Sequence, residues 1–285
     1  MSYRQTSTPN GIPKMPDSIK VLRWLVILAA LIPPRLAHAQ RDDADWLAQC
    51  RRDGWNRRES FCEIRQDRMR APRGTITVDG QRNGGVSVIG LDRDSLIVKT
   101  RVRTEARTQA EARDLARQVR TVINGSMIEV EGPRNLDDAQ WNADLLVWAP
   151  RHSDLRVSSH NGPVSVEDVS GAMELETSNG PLALRGVGGD VRARTSNGPM
   201  SITLTGNQWD GRGLDAETHN GPLTLRVPDG YNAHLESGTN NGPMSLDFPV
   251  TVVGRIGRSI STDLGSGGKT IRAVTSNGPL SILRR

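Results

Sequence analysis

The sequence predicts an all-β protein: a single-stranded parallel β-solenoid, or β-helix, with one short helix and a small N-terminal extension. Three observations predict it. The tripeptide Asn-Gly-Pro occurs six times, beginning at Asn161, Asn179, Asn197, Asn220, Asn241 and Asn277. Both sides of every copy alternate apolar and polar residues with period two, the signature of strands with one buried face. The copies recur at intervals of 18, 18, 23, 21 and 36 residues, and such a fixed period marks a solenoid or array. A right-handed coil is expected, because parallel crossover connections are overwhelmingly right-handed.

The chain has 285 residues, enough for one large domain or two small ones. Its start reads as a leader. Lys14, Lys20 and Arg23 precede the apolar run Trp24 to Ile32, and Ala37 to Ala39 form a small-x-small cleavage signal. Cleavage after Ala39 is expected, and retention as an uncleaved anchor is the alternative. The run falls short of the roughly 20 residues needed to span a bilayer. Gln40 rather than cysteine follows the cut, so nothing points to a lipid anchor. Residues 1–39 hold five of the 37 basic and one of the 32 acidic residues; the remainder carries 32 and 31, a formal net charge of +1. The basic character of the whole chain thus resides largely in the leader, and nucleic acid is not an expected partner.

Residues 40–72 form the extension. They are Arg-rich with Trp46, Trp55 and Phe61 interspersed, and the acids Asp53, Glu59, Glu63 and Asp67 interleave with the arginines. A solvated helical or irregular cap is expected. Cys50 and Cys62 are the two cysteines, and in an exported chain such a pair reads as a disulfide. No further Cys or His lies near enough in sequence to suggest a metal site.

From residue 73 to 285 the chain is strand-like, with one interruption. Thr108 to Arg120 has helical periodicity in Ala112, Leu115, Ala116 and Val119, and Thr108 with Glu111 makes a capping box. Weaker corners stand at Asn83 and Asn124. Aligning the six strong copies gives columns. Six and four residues before each Asn lie pairs such as Leu155 and Val157; three and five after lie pairs such as Val164 and Val166. One coil cannot bury its small apolar face alone, so stacking joins the faces into one core. Asn-Gly suits a tight corner through a positive φ, and Pro belongs where no ladder N–H is needed. The six asparagines are expected to form an amide ladder that fixes register. The outward column five before Asn reads Arg156, Glu174, Arg192, Asp215, Glu236 and Arg272, whose signs mostly alternate.

The repeats T-x-N-G-x-h-x-h, with h apolar, resemble the bacterial putative-adhesin family, a domain of unknown function in exported proteins. The run Asp247 to Ile282 is similar to that family's closing section, as is a cysteine pair ending in "FCEIR". The resemblance implies a β-solenoid in the envelope or outside the cell and implies no established activity. Pro follows Asn-Gly here where relatives often carry Gly or another small or polar residue.

Residues with chemical potential are few. "DLGSGGKT", Asp263 to Thr270, lacks the first glycine of a phosphate loop, and Gly267 and Gly268 oppose the helix that an S-x-x-K pair, Ser266 and Lys269, uses. His160 and His219 share a column but lie three coils apart, too far for one metal. No cofactor is expected. Four residues after Asn stand Ser165, Ala183, Ser201, Thr224, Ser245 and Ser281, a strip of small, mostly hydroxyl groups. It reads either as a docking strip for an envelope glycan or protein, or as small residues that a crowded corner demands. The function expected is therefore structural or adhesive, without catalysis. The alternative is a polysaccharide lyase or hydrolase, which needs acids or bases grouped on neighbouring coils.

Overall fold

The computed structural model describes residues 34–52, 58–134, 136, 138–247 and 258–285, with the side chains of 34–41 and 51 left aside. The leader's basic and apolar regions lie outside the described residues. The chain divides into two compact units, Met1–Ala48 and Gln49–Arg285. What is described of the first is the larger part of helix α1, Pro34–Arg52. In the second, Cys50 and Cys62 are disulfide-bonded, with Cα atoms 6.5 Å apart.

The second unit is a two-sheet β-solenoid. Each coil places one strand before its Asn-Gly corner in one sheet and one strand after it in the other. Four coils stack in sequence order: β8 and β9 (Leu155–Ser159, Val164–Glu167), β10 and β11 (Ser170–Thr177, Leu182–Arg185), β12 and β13 (Gly188–Thr195, Met200–Thr203), then β14 and β15 (Gly211–Asn220, Leu223–Val227). Pairing is parallel and in register, as in Leu155↔Met173↔Val191↔Leu214. The inward columns are buried: Leu155, Leu175, Leu182, Leu184, Leu223 and Leu225 are at most 1 % exposed. Each such side chain stabilises the stack by about 1.5–3 kcal/mol, and neighbouring coils share the same core.

Three features depart from the purely parallel, sequential stack that the repeat predicts. The first is order. The last coil, β19 and β20 (Thr270–Asn277, Leu280–Arg284), inserts between the coil of Asn220 and that of Asn241, which is β16 and β17 (Ala233–Asn241, Met244–Leu246). Insertion puts Arg272 between Asp215 and Glu236. The outward column then reads Arg156, Glu174, Arg192, Asp215, Arg272, Glu236, alternating in sign throughout. Arg156 bonds Glu174 at 2.6 Å and Arg272 bonds Asp215 at 2.5 Å.

The second feature is that both ends are antiparallel. At one end β18 (Ser259–Leu264) runs antiparallel to β16. At the other, β2 and β3 (Ile76–Asp79, Val86–Leu91) form the coil of Asn83. Beyond β3 come β7 (Gln140–Pro150), parallel to it, then β4 (Ser95–Ala106) and β1 (Glu59–Arg70), each antiparallel to its neighbour. Beyond β2 lies the hairpin β5 and β6 (Arg120–Asn124, Met127–Glu131). Asn124 is thus the tip of a hairpin, with Gly125 at φ 61°, and no member of the solenoid corner. Part of the Arg-rich extension, expected as a helical or irregular cap, is strand β1. Its weak alternation gains a partner in β4 along all 12 residues. Helix α2 (Gln109–Gln118) has the capping box, Glu111 N to Thr108 Oγ1 and Thr108 N to Glu111 Oε2, both 3.2 Å; Ala112, Leu115 and Ala116 are buried.

The third feature concerns the corner glycines. Gly162, Gly180, Gly198, Gly221, Gly242 and Gly278 do not have positive φ, and neither do the asparagines. Glycine is needed for another reason: a Cβ at Gly198 would overlap the carbonyl oxygen of Gly180, and every other corner glycine meets the neighbouring coil's glycine carbonyl in the same way. The prolines sit just before the second strand, where their carbonyls accept from the adjacent coil, as in Val164 N to Pro181 O, 2.9 Å. In the Asn83 coil Gly85 replaces proline, and its extra N–H donates to Asp144 Oδ1 at 2.8 Å. Burial pushes the Asp144 carboxyl above its ordinary pKa, against the Gly85 amide and Arg101, which favour the charged form.

Gly198→Ala should therefore cost about 3 kcal/mol or more, as backbone must move to admit a methyl group. Gly230→Ala, at φ 67° with nothing within 4 Å, should cost only about 1–2 kcal/mol. Urea unfolding of both variants checks the contrast. Strand order is testable by cross-linking. Oxidised Ser245→Cys/Ser281→Cys should form a disulfide, because parallel neighbours stand about 4.8 Å apart. Thr224→Cys/Ser245→Cys, roughly 10 Å apart across an intervening strand, should stay reduced; mass spectrometry under non-reducing conditions reads both.

Candidate functional site

The corners and the strands that follow them build one continuous surface with three parallel rows. The first row is the amide ladder. Each asparagine Nδ2 donates to the Oδ1 of its neighbour in the order Asn241, Asn277, Asn220, Asn197, Asn179, Asn161, Asn83, over 2.8–2.9 Å. It takes in all six Asn-Gly-Pro asparagines and extends to Asn83, and it follows the spatial rather than the sequence order of coils.

Beneath it lies a row that periodicity alone presents as core. Ser159, Thr177, Thr195, Thr218, Thr275 and Thr239 are all buried. Each hydroxyl donates to the corner-glycine carbonyl of the adjacent coil, for example Thr195 Oγ1 to Gly180 O at 3.0 Å and Thr275 Oγ1 to Gly221 O at 2.9 Å. Ser159 and Thr177 also accept from the glycine N–H of their own corner, at 3.0 and 3.2 Å. The hydroxyl thus satisfies backbone groups that a tight corner would otherwise bury unpaired. The recurrence of Thr or Ser two residues before Asn was the available signal.

The second exposed row is proline: Pro163, Pro181, Pro199, Pro222, Pro279 and Pro243 face solvent. The third is the hydroxyl strip. Register places Ser87, Ser165, Ala183, Ser201, Thr224, Ser281 and Ser245 side by side in that order. Arg226 Nη1 reaches Ser201 Oγ at 3.1 Å, and Ser245 Oγ bonds Ser281 Oγ at 3.2 Å. The strip is bounded on its far side by Glu167, Arg185, Thr203 and Arg226, again in register. Rows of amide, pyrrolidine ring and hydroxyl thus repeat at strand spacing, about 4.8 Å.

The other residues with chemical potential are dispersed. His160 and His219 are exposed corner residues separated by two intervening coils. Among the described residues no group of three or more His, Cys, Asp or Glu stands close enough to hold a metal ion. Ser266 lies in a glycine loop, its N–H donating to Asn232 Oδ1 at 2.8 Å, with Gly265, Gly267 and Gly268 all at positive φ.

One constellation escaped the sequence because antiparallel β18 creates it. His234 Nδ1 lies 2.7 Å from Asp263 Oδ1, and Ser261 Oγ lies 3.1 Å from His234 Nε2. The connectivity is that of a nucleophile, a base and an orienting acid. Its setting is an open sheet face: the side chains of His234 and Asp263 are 34 % and 64 % exposed. Water screens the pair there, whereas the orienting acid of a working triad is buried.

No curated protein matches the sequence. Among solved structures, a putative cell adhesion protein from Clostridium sporogenes is similar at 8 % identity and a TM-score of 0.38, over 78 % of this chain and 100 % of that one. A putative adhesin from Bacteroides fragilis is similar at 9 % identity and a TM-score of 0.36, over 78 % and 97 %. A putative lipid binding protein from Parabacteroides distasonis is similar at 9 % identity and a TM-score of 0.32, over the same shares. The model of the Toastrack family, DUF4097, matches residues 74–283, and the chain belongs to that family.

Proposed function

We propose that this protein is an exported, adhesin-like binding protein of the cell envelope. The solenoid's three-row face is its contact surface, and no chemistry is performed on the partner. The observation that carries this reading is the unbroken face itself: seven hydrogen-bonded asparagines flanked by exposed prolines and a hydroxyl strip. Such a face offers many equivalent weak contacts to an extended partner, either a glycan or a protein strand. Multivalent engagement raises avidity without any single strong pocket.

The leader supports export, to the periplasm or outside the cell, and the disulfide suits an oxidising compartment. The charge columns speak against the polysaccharide-active alternative. Acids and bases alternate along the stack, so neighbouring coils neutralise one another instead of perturbing a group for acid–base work. No described helix is long and apolar enough to cross a membrane. The domain division proposed is a leader over 1–39, a disulfide-clipped segment over 40–72 and the adhesin-like solenoid over 73–285.

Two outcomes are expected. The triple variant Ser201→Lys, Thr224→Lys, Ser245→Lys should keep its β-rich circular dichroism yet lose retention on envelope fractions; undiminished retention removes the face from the reading. Hydrolysis of p-nitrophenyl acetate should proceed at the same slow rate with the native chain and with Ser261→Ala. A drop of tenfold or more on removing that hydroxyl would show that the exposed Ser261–His234–Asp263 chain is catalytic.

A further inference from the structure

The amide ladder has a direction, and its two ends differ. Every Nδ2 points its bond toward the Asn83 end, so that end is the donor terminus of a seven-amide chain. Asn83 Oδ1 accepts from Asn161, while Asn83 Nδ2 donates to no partner among the described residues. Hydrogen bonds in series polarise one another, which makes the last free N–H a stronger donor than an isolated amide.

This terminus opens into a groove of about 1070 Å³ between the Asn83 corner and the segments 129–134 and 140–142. The corner there departs from every other. Register pairs Ile76, seven residues before Asn83, with Leu155, six before Asn161, so this corner holds one extra residue and puts Gly80 opposite Ser159. Gln81, in the lengthened turn, adopts φ 55°, which is uncommon for a residue with a side chain. It is held there by its backbone N–H to Asp79 Oδ1, 2.8 Å, and by Gln81 Nε2 to Glu129 Oε2, 3.0 Å. Strain of this kind, fixed by surrounding bonds, clusters at binding and catalytic sites.

The groove's charges are unequally occupied. Glu129 accepts from the neutral Gln81 amide, which leaves its negative charge in place, and Glu131 is the cross-strand register partner of Arg120. Arg82 and Arg134 are exposed and line the groove, and neither guanidinium has a side-chain partner among the described residues. Trp141 supplies an aromatic wall, anchored by Nε1 to Pro133 O at 2.9 Å and by its packing against Gly132. Asn142 Nδ2 bonds Asn83 O at 2.6 Å and fixes the far side to the corner.

The geometry points to this groove as a binding site for an acidic oligosaccharide. A ring in a wall accommodates the apolar face of a sugar. Free guanidiniums grip a carboxylate in a forked, charge-assisted geometry. The amide terminus adds a polarised donor for a hydroxyl or carboxylate oxygen. A volume near 1070 Å³ is at the upper end of small-ligand sites, which suits a short oligosaccharide more than a single sugar. The site lies at the end of the stack, where it shares Asn83 and Asn161 with the amide row but takes in none of the hydroxyl strip, and it rests on the reading of the protein as an envelope binder.

The test uses the full chain on an array carrying both neutral and uronate- or sialate-bearing oligosaccharides. The native chain should retain acidic members and release them as salt rises. The double variant Arg82→Ala, Arg134→Ala removes two exposed side chains and should fold normally. It should weaken binding about tenfold or more for each guanidinium removed. The control Arg73→Ala, Arg93→Ala removes the same charge from exposed positions outside the groove and should bind acidic members as the native chain does, while retention of the groove variant on envelope fractions reads the three-row face separately. Absence of acidic binding, binding confined to neutral sugars, or full retention by the double arginine variant would each overturn the assignment.

Discussion

The stack depends on how closely two backbones approach at the corner. Successive corner glycines sit so near that any side chain would occupy the carbonyl of the coil before it. That approach lets the threonine hydroxyl of one coil reach the glycine carbonyl of the next at about the same distance each time, 2.7–3.0 Å. It also brings the asparagine amides within bonding range. The motif Thr-x-Asn-Gly is therefore one device. Thr satisfies the buried carbonyl, Gly permits the contact and Asn carries the exterior ladder. Change the glycine and the other two lose their partners.

Much of this was legible in the sequence. The repeat, the inward columns and the amide ladder follow from spacing and alternation, which are local properties. What was not legible arises from long-range choices. The insertion of the last coil is one. Asp215 and Glu236 are consecutive in the sequence-ordered column and carry the same sign, and that single break in alternation was the trace of a missing neighbour. Arg272, 36 residues beyond Glu236, fills the gap with contacts to Asp215 and Glu217. An exposed pair is worth at most about 1 kcal/mol, so charge did not fix the order alone. The column records an order that the shared core enforces. The positive φ expected at Asn-Gly failed for a different reason. That expectation treats the corner as an isolated turn, whereas these corners are shaped by the coil lying on top.

The antiparallel ends answer a problem that repetition creates. A stack of identical coils exposes unpaired strand edges, which invite further chains to add on. At one end β18 doubles back along β16. At the other, long strands β4 and β1 extend one sheet, and a hairpin extends the other. Lys99 shows how such an end closes. It is buried to 6 % exposure with its ammonium over the Trp148 ring at 5.2 Å, a pairing no uniform repeat would place there. These segments break the period because they must differ from the coils they terminate, so periodicity could not reveal them. The strand character of Glu59–Arg70 was hidden in the same way, since its partner lies some 40 residues downstream.

The same regularity bears on function. A repeating surface resists forming a perturbed catalytic group, since each charge meets its opposite one strand away. Inserting Arg272 removes the one adjacency of like acids that the column would otherwise hold. Irregular chemistry is therefore left to the places where the repeat stops. His234 meets Ser261 and Asp263 only because β18 runs antiparallel, and the strained Gln81 corner arises where the coil carries one extra residue before Asn83 and Gly85 stands in place of proline. The two ends are not equivalent. The β18 end leaves His234 and Asp263 exposed, where solvent screens them. The Asn83 end sets its donors, unpartnered among the described residues, at the rim of a groove beside an indole ring, and it receives the accumulated direction of the amide ladder. Of the two irregular ends, only the second combines a groove, guanidiniums unpartnered among the described residues and a preset dipole, and for that physical reason recognition is argued from there.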